Sequence, residues 1–311
     1  MSSEIEKHYA TLPTDNGYGY KGYSIFPRLN LEELYEPIGD SETSIERKSA
    51  SCMYCGSEFR ESKTNHAHLI PELFGKNKSQ NKYECNACNE LSGQWETSLG
   101  TFTLPLRVMG KVKNKKGKYP KFKSRLDGFA NPTIVQYHGN DSFNVQLGTM
   151  NDFDMGMGKL KFRVGGHNPY HVYKAFLKVA LSLMPDEILD AERWMVDYLF
   201  MKEVDHKIFP FIYLIFLENK IIQKPYFRLL RVRSPLPSHP KYMVLACFGK
   251  SLLQIVLPIN DPKKEVVIHL PKFMPIVGPK ETYEMEKIDL EDTMIEHRDW
   301  TFKLTVKKMK P

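Results

Sequence analysis

Two Cys-x-x-Cys pairs, Cys52 with Cys55 and Cys85 with Cys88, flank residues 56–84 and constrain this chain more than anything else in it. Each pair has the spacing at which a tight turn lets two thiolates reach one ion at about 2.3 Å, and two pairs complete a closed tetrahedral set of four cysteines. That closed set is the mark of a structural Zn²⁺ site, not a catalytic one. Disulfides are the weaker alternative. They need an oxidising compartment, and the N-terminus MSSEIEKHYATLP lacks the basic and apolar regions of a secretory signal. A thioredoxin-type redox motif calls for one pair beside a βαβ unit, not two. The fifth cysteine, Cys247, lies in the apolar run YMVLACF and reads as a small buried hydrophobe. The longest apolar run, residues 208–217 with Pro210 inside it, is about half of a membrane span. A soluble, cytoplasmic protein with no membrane partner is the expectation.

The segment between the pairs has its own pattern. Residues 65–70 alternate as a strand does, with His66, His68 and Ile70 on one face; Pro71 ends it and Gly75 punctuates the turn that follows. After the second pair, NACNELSGQWETSL reads as a helix, on which Asn89 and Glu96 share a face because they are seven residues apart. Strand, turn, strand and helix around a zinc would bring His66, His68 and Asn89 into one space, with Glu96 as a further candidate.

Net charge is +7, from 44 Lys+Arg and 37 Asp+Glu, and its distribution says more than its size. Residues 107–125, RVMGKVKNKKGKYPKFKSR, hold nine basic residues and no acidic one, more than the whole excess. Lysines displace condensed counterions from nucleic acid, so Lys111, Lys113, Lys115, Lys116, Lys118, Lys121 and Lys123 are candidate DNA-backbone contacts. A charge run can equally be a solvated loop; its place directly after the cysteine-bounded segment favours the first reading.

CMYC, then HAHLIPELFG, then CNACN followed by SGQWE, together resemble the HNH endonucleases, the ββα-metal or His-Me finger superfamily. The likeness is closest to the branch in which a four-cysteine zinc flanks an EHIIP- or EAHIIP-like core and Asn directly follows the last cysteine. It covers residues 51–106. The resemblance implies that His68 is the general base taking a proton from the attacking water, work suited to an imidazole titrating near neutrality. It implies that the oxygen of Asn89 helps hold one catalytic divalent ion, Mg²⁺ or Mn²⁺, which stabilises charge on the scissile phosphate and its leaving oxygen. The middle Asn of the motif has two candidates, Asn77 and Asn81.

One position departs from the family. Before the base histidine the relatives carry Asp or Glu, a metal ligand; here it is Ala67. His66 stands where EAHIIP-like relatives carry Glu and is the candidate replacement, a nitrogen ligand that favours Mn²⁺, Zn²⁺ or Ni²⁺ over Mg²⁺. Plainer roles exist for each residue: His-x-His can line a polar strand face, Asn89 can cap a helix, and helical Glu96 can simply be solvated.

Residues 1–47 form an N-terminal arm. Tyr18, Tyr20 and Tyr23, spaced by Gly, could stack on bases or, as we favour, pack a hairpin on the domain; the stretch after them suggests a short helix and a linker. Beyond the basic segment, residues 132–137 and 143–147 suggest a hairpin and 160–164 a strand. Apolar residues recur at helical spacing from Pro169 to Met184, with Pro169 tolerated at the helix start, and a second helix is expected over 186–200. Strands are expected over 211–217, 226–232, 242–248, 252–257, 265–270 and 300–306. His167 and His171, at a helix start, read as structural. There is no internal repeat or Gly-rich phosphate loop.

The fold class is therefore α+β: a small zinc-braced ββα-metal module and a larger C-terminal α+β domain with a mostly antiparallel sheet. Its expected divisions are an arm (1–47), the HNH module (48–106), a basic DNA-contacting segment (107–128) and the α+β domain (129–311), which could serve specificity, homodimerisation or sensing. The expected function is metal-dependent hydrolysis of DNA phosphodiester bonds, in a setting of bacterial defence or mobile elements implied only by the resemblance. A catalytically weakened zinc-ribbon binding protein, favoured by Ala67, and an RNA-directed nuclease are the rival readings.

Overall fold

The structure is a computed structural model that describes residues 20–22, 34–42, 46–47, 51–59, 67–75, 80–124, 132–139, 142–147, 153–154, 159–202, 210–217, 221–234, 240–258 and 283–303. Along the chain these form β1 (Tyr20–Gly22), β2 (Tyr35–Asp40), a 3₁₀ turn (Glu72–Phe74), α1 (Asn86–Met109), β3 (Lys121–Ser124), β4 (Thr133–Gly139), β5 (Ser142–Gln146), β6 (Phe153–Asp154) and β7 (Lys159–Arg163). They continue as α2 (Pro169–Ser182), α3 (Asp186–Ala191), α4 (Arg193–Phe200), β8 (Phe211–Leu217), β9 (Ile222–Val232), β10 (Tyr242–Gly249), β11 (Ser251–Val256), β12 (Tyr283–Asp289) and β13 (Asp299–Lys303). This is an α+β protein whose strand pairings, among the described residues, are all antiparallel.

The main sheet has seven strands in the order β1-β12-β8-β11-β10-β9-β2. Alternation along each strand splits its side chains between two faces. Leu214, Phe227, Leu229, Val244, Ala246 and Phe248 join the core that also contains α1 and α2. Ile215, Leu230, Met243, Leu245 and Cys247 form a second cluster with Tyr35. β10 is consequently buried on both faces, which is why its sequence is a continuous apolar run with Cys247 fully inside. The remaining described strands form two three-stranded sheets, β13-β7-β6 and β3-β4-β5.

Several expected elements are present. The hairpin is β4–β5, and α2 begins at Pro169 with Asn168 as its cap, the Asn side chain accepting from the His171 N–H. The helix expected over 186–200 is instead broken at Glu192 into α3 and α4. There the buried carboxylate accepts from Trp194 Nε1 on Oε2 (2.8 Å) and from the Tyr242 hydroxyl on Oε1 (3.2 Å), with the Lys241 ammonium against Oε1. In the stretch expected to hold a short helix and then a linker, Leu34 is helical and the residues just before it lie outside the described part, while Tyr35–Asp40 is an edge strand on β9. Pro37 would cost a helix an internal hydrogen bond, whereas a sheet edge accommodates it, and the pairing with β9 shifts register between Pro37 and Gly39. Tyr18, Tyr23 and the strand expected over 265–270 lie outside the described residues.

Helix α1 is the mechanical centre. It starts within the second cysteine pair, with Cys85 as its cap and Cys88 in its first turn, and runs unbroken through Pro105 to Met109, across the expected division at 106/107. It packs along α2 and against the main sheet and the β3–β4 hairpin. Its C-terminus meets β10 backbone to backbone: a Cβ added at Gly249 (φ +57°) would lie 2.6 Å from the Gly110 Cα. Only paired glycines permit that approach. No helix among the described residues is long and apolar enough to cross a membrane.

Candidate active site

The four cysteines converge, with all their sulfurs within 4.8 Å of one another. Sγ of Cys52 is 3.9 Å from that of Cys88, and Sγ of Cys55 is 3.6 Å from that of Cys85. Sulfurs about 2.3 Å from one zinc lie about 3.8 Å apart at the corners of a tetrahedron, so these distances fit a zinc centre and are far too long for disulfides. Backbone amides reinforce it: N–H of Cys85 donates to Cys52 Sγ (3.4 Å) and N–H of Cys88 to Cys85 Sγ (3.5 Å). The contact with Cys88 pulls the Cys52 thiol down to about 4 while pushing Cys88 up, and a readily formed thiolate is the form that binds metal.

The rest of the protein braces this centre. Arg193 of α4 donates to the carbonyls of Met53 (2.7 Å) and Tyr54 (2.5 Å), and the buried Tyr54 hydroxyl is hydrogen-bonded to Ser182 Oγ of α2 at 2.7 Å. Below the centre, the buried Lys178 ammonium lies 2.9 Å from Glu84 and 3.5 Å from Glu96, and donates to Ser92 Oγ at 2.7 Å. Burial pushes the Glu84 carboxyl up to about 7 despite that neighbour.

Beside α1 opens a cleft of about 660 Å³ lined by His68, Glu72, Asn89, Glu96, Thr97 and Lys115, together with Leu73, Gly93 and Gly100. His68 and Asn89 thus share one space, and Glu96 joins them about two turns further along α1. Within the described residues His68 makes a single antiparallel bridge to Gln80. That corrects the strand expected over 65–70, whose first two residues, Asn65 and His66, lie outside the described part. Pro71 and the 3₁₀ turn end the extended stretch at once. Asn81 is the described one of the two middle-Asn candidates. It is buried, its N–H donates to the Ala67 carbonyl (2.9 Å), and its side chain bonds Glu84 Oε2 and Ser182 Oγ, each at 3.3 Å. Asn77 lies outside the described residues.

Two groups that sequence reasoning did not single out shape the cleft. Glu72 places Oε1 3.3 Å from His68 Nε2 and Oε2 2.6 Å from Lys115 Nζ. The Lys115 ammonium holds its carboxyl below the usual range. The spacing of four residues from His68 across a Pro-initiated turn was the available signal. Arg107, counted among the nine basic residues, is buried: it donates to the carbonyls of Gly100 (2.7 Å) and Leu73 (3.2 Å) and to Thr103 Oγ1 (3.2 Å). Burial lowers it to about 10. It ties the turn below His68 to α1 and is not presented to a partner.

The seven lysines divide by what they touch. Lys111 Nζ lies 4.9 Å from the Tyr137 ring centre and Lys113 Nζ 5.3 Å from that of Tyr119, and Lys115 meets Glu72. Lys116 and Lys118 are exposed on a tight turn whose N–H groups Asn114 Oδ1 accepts. Lys121 and Lys123 are exposed on β3, on the face opposite buried Phe122.

Residues 52–95 match the family model for HNH endonucleases. This segment is an HNH endonuclease module. The match spans both cysteine pairs, His68 and Asn89, and ends at Trp95 on α1. No curated protein and no solved structure matches the chain. Among the described residues the cysteines are the one group of three or more His, Cys, Asp or Glu side chains close enough to hold a metal together. The cleft of the HNH module offers instead oxygen donors from Asn89 and Glu96. That set suits a hard divalent ion that keeps several waters.

Proposed function

We propose that the protein is a metal-dependent endonuclease that hydrolyses phosphodiester bonds in DNA. The observation that carries this is the cleft: the HNH module brings His68 and Asn89 to one opening, and the lysine-bearing turn before β3 contributes Lys115 to the same rim. His68 would take the proton of the attacking water, as an imidazole can near neutral pH. Asn89, with His66 as a further candidate, would hold a divalent ion, Mg²⁺ or Mn²⁺, with Glu96 at the cleft wall as an additional oxygen donor. A bound ion would neutralise charge developing on the phosphate and its leaving oxygen. The four cysteines would hold a structural Zn²⁺ and fix the start of α1, and hence Asn89.

Lys116, Lys118, Lys121 and Lys123 would contact the DNA backbone. Such contacts position a duplex without reading its sequence. The rival reading, a zinc-ribbon protein that binds without cutting, rests on Ala67. That side chain is buried at 1% exposure and carries no donor atom, so the oxygen donors lining the cleft would be Asn89 and Glu96.

The deciding experiment incubates purified protein with supercoiled plasmid and Mg²⁺, Mn²⁺ or Ni²⁺, beside His68→Ala. Nicking by the wild type and its loss in the variant are expected. Equal nicking by both would overturn the assigned base, and shifted but uncut DNA in every metal would favour the binding protein. Cleavage of single-stranded RNA with DNA left intact would overturn the DNA assignment.

A further inference from the structure

We infer that the outward face of the β3-β4-β5 sheet reads A·T base pairs in the major groove of duplex DNA, with Gln136, Asn144 and Gln146 on adenine edges and Ile134 against a thymine methyl; this rests on DNA as the substrate of the cleft. The strand register sets that face. Lys121 stands opposite Gln136 and Gln136 opposite Asn144, while Lys123 stands opposite Ile134 and Ile134 opposite Gln146. Directly opposed residues in a ladder share a face, so these six side chains form two adjacent rows. Lys121, Lys123, Asn144 and Gln146 are exposed, and Ile134 and Gln136 are half-buried. The alternate residues Phe122, Val135 and Val145 face the other way, into the core that contains α1.

Composition sets this face apart. A surface that serves solubility alone mixes charges of both signs, yet β3, β4 and β5 contain no Asp or Glu. Asn and Lys are poor strand formers, so local stability does not account for them here. The lysine edge is complementary to phosphate, and Lys116 and Lys118 extend it on the turn leading to β3. The amides lie on β4 and β5, one strand spacing, about 4.8 Å, further across. The major groove is about 12 Å wide and admits a two-stranded ribbon. Within it Asn and Gln bond adenine N6 and N7 together, and an apolar side chain meets the thymine methyl. β4 and β5 form that ribbon, and the β3 lysines reach the phosphates along its edge. Side chains cannot read the deep, narrow major groove of A-form RNA, which commits the face to DNA. The sheet packs on α1, the helix that also carries Asn89, so the bases read and the bond cut are held at a fixed offset.

The test uses the full-length, zinc-loaded protein without added Mg²⁺ or Mn²⁺, mixed with a duplex library carrying a randomised segment; bound duplexes are recovered and sequenced. The wild type should enrich a site containing A·T pairs by about 10-fold or more. Asn144→Ala and Gln146→Ala, both at exposed positions, should each lower that preference by about 5-fold, with Tm and the salt dependence of binding unchanged. Adding Gln136→Ala to both should abolish it. Replacing adenine by 7-deazaadenine in the enriched site removes the N7 acceptor, and should weaken binding by the wild type but not by the triple variant. No enrichment by the wild type, the same site enriched by the triple variant, or tighter binding to RNA than to duplex DNA would overturn the inference. Cutting plays no part in this selection. A protein that enriches the site yet never nicks plasmid would refute the nuclease reading and leave the role of the sheet face standing.

Discussion

The ammonium of Lys178, on α2, lies 2.9 Å from the carboxylate of Glu84, just ahead of the second cysteine pair, and both side chains are almost wholly buried. This pair joins the cysteine-bearing segment to α2. Removing one partner of a buried ion pair leaves an uncompensated charge, which costs about 3–5 kcal/mol, whereas replacing both by apolar groups is often neutral. Lys178→Ala should lose that much in denaturant unfolding, and Lys178→Met with Glu84→Leu should recover most of it. Equal losses in the single and double variants would show that the pair is not the source.

Gly249 should tolerate no side chain. Its φ of +57° and the 2.6 Å approach to Gly110 combine left-handed backbone with a backbone clash. Glycine to alanine there should cost about 2 kcal/mol or more, measured as a fall in the unfolding midpoint. Gly56→Ala, also at positive φ but with open space around it, should cost less.

Zinc should be structural. Purified protein should carry about one zinc per chain, and a strong chelator or Cys88→Ala should lower Tm by about 10 °C or more, because binding and folding of such a site are one equilibrium. Trp95, buried against Phe200, would report the change in fluorescence. A Tm and emission spectrum indifferent to chelation would remove the zinc assignment.

Lys121 and Lys123 should act on DNA affinity and not on stability. Each phosphate contact contributes about 0.9 to the slope of log affinity against log salt. The double alanine variant should therefore flatten that slope by about 2 and weaken binding equally across sequences, with an unaltered Tm. Arg107→Ala should do the opposite, destabilising the fold by withdrawing three hydrogen bonds of a buried side chain.

Acid should weaken the protein through His167. This ring is 1% exposed, with Nε2 3.5 Å from Glu296 and Nδ1 3.2 Å from the Gly165 carbonyl. Burial holds its pKa below the ordinary imidazole value. With the folded value lowered, the unfolded chain takes up the proton first as pH falls. The contribution is fully present above about pH 6.5 and declines below it. Unfolding free energies at pH 7.5 and 5.5 should differ less in His167→Asn than in the wild type. An identical difference would assign the acid sensitivity elsewhere.

How much of this was legible depended on the range of the interactions. Knuckle spacing, the HLIP step and the Asn after Cys88 are local patterns, and they led to the right module. The start of α2 was equally legible, since Pro169 and the recurring apolar positions sit within a few turns of one another. Tyr35–Asp40 was not, because a six-residue stretch becomes a strand only when β9 arrives to pair with it. Glu192 likewise breaks a helix for the sake of Tyr242, a partner far along the chain.

The opening feature, two cysteine pairs bounding one histidine-bearing segment, was determined by sequence alone. Ligand spacing within four residues is set by covalent geometry, and no tertiary contact is needed to recognise it. Which basic residues face outward was decided only in the fold. Arg107 and Lys121 are alike as letters in one charged run, yet one is consumed by the carbonyls of Gly100 and Leu73 while the other stands on an exposed strand face. The setting of His68 was decided in the same way, by Glu72 on one turn and Lys115 on another beyond α1. Charge and hydrogen-bonding capacity belong to residue types; whether they are used within the protein or offered to a partner depends on distances that only packing creates.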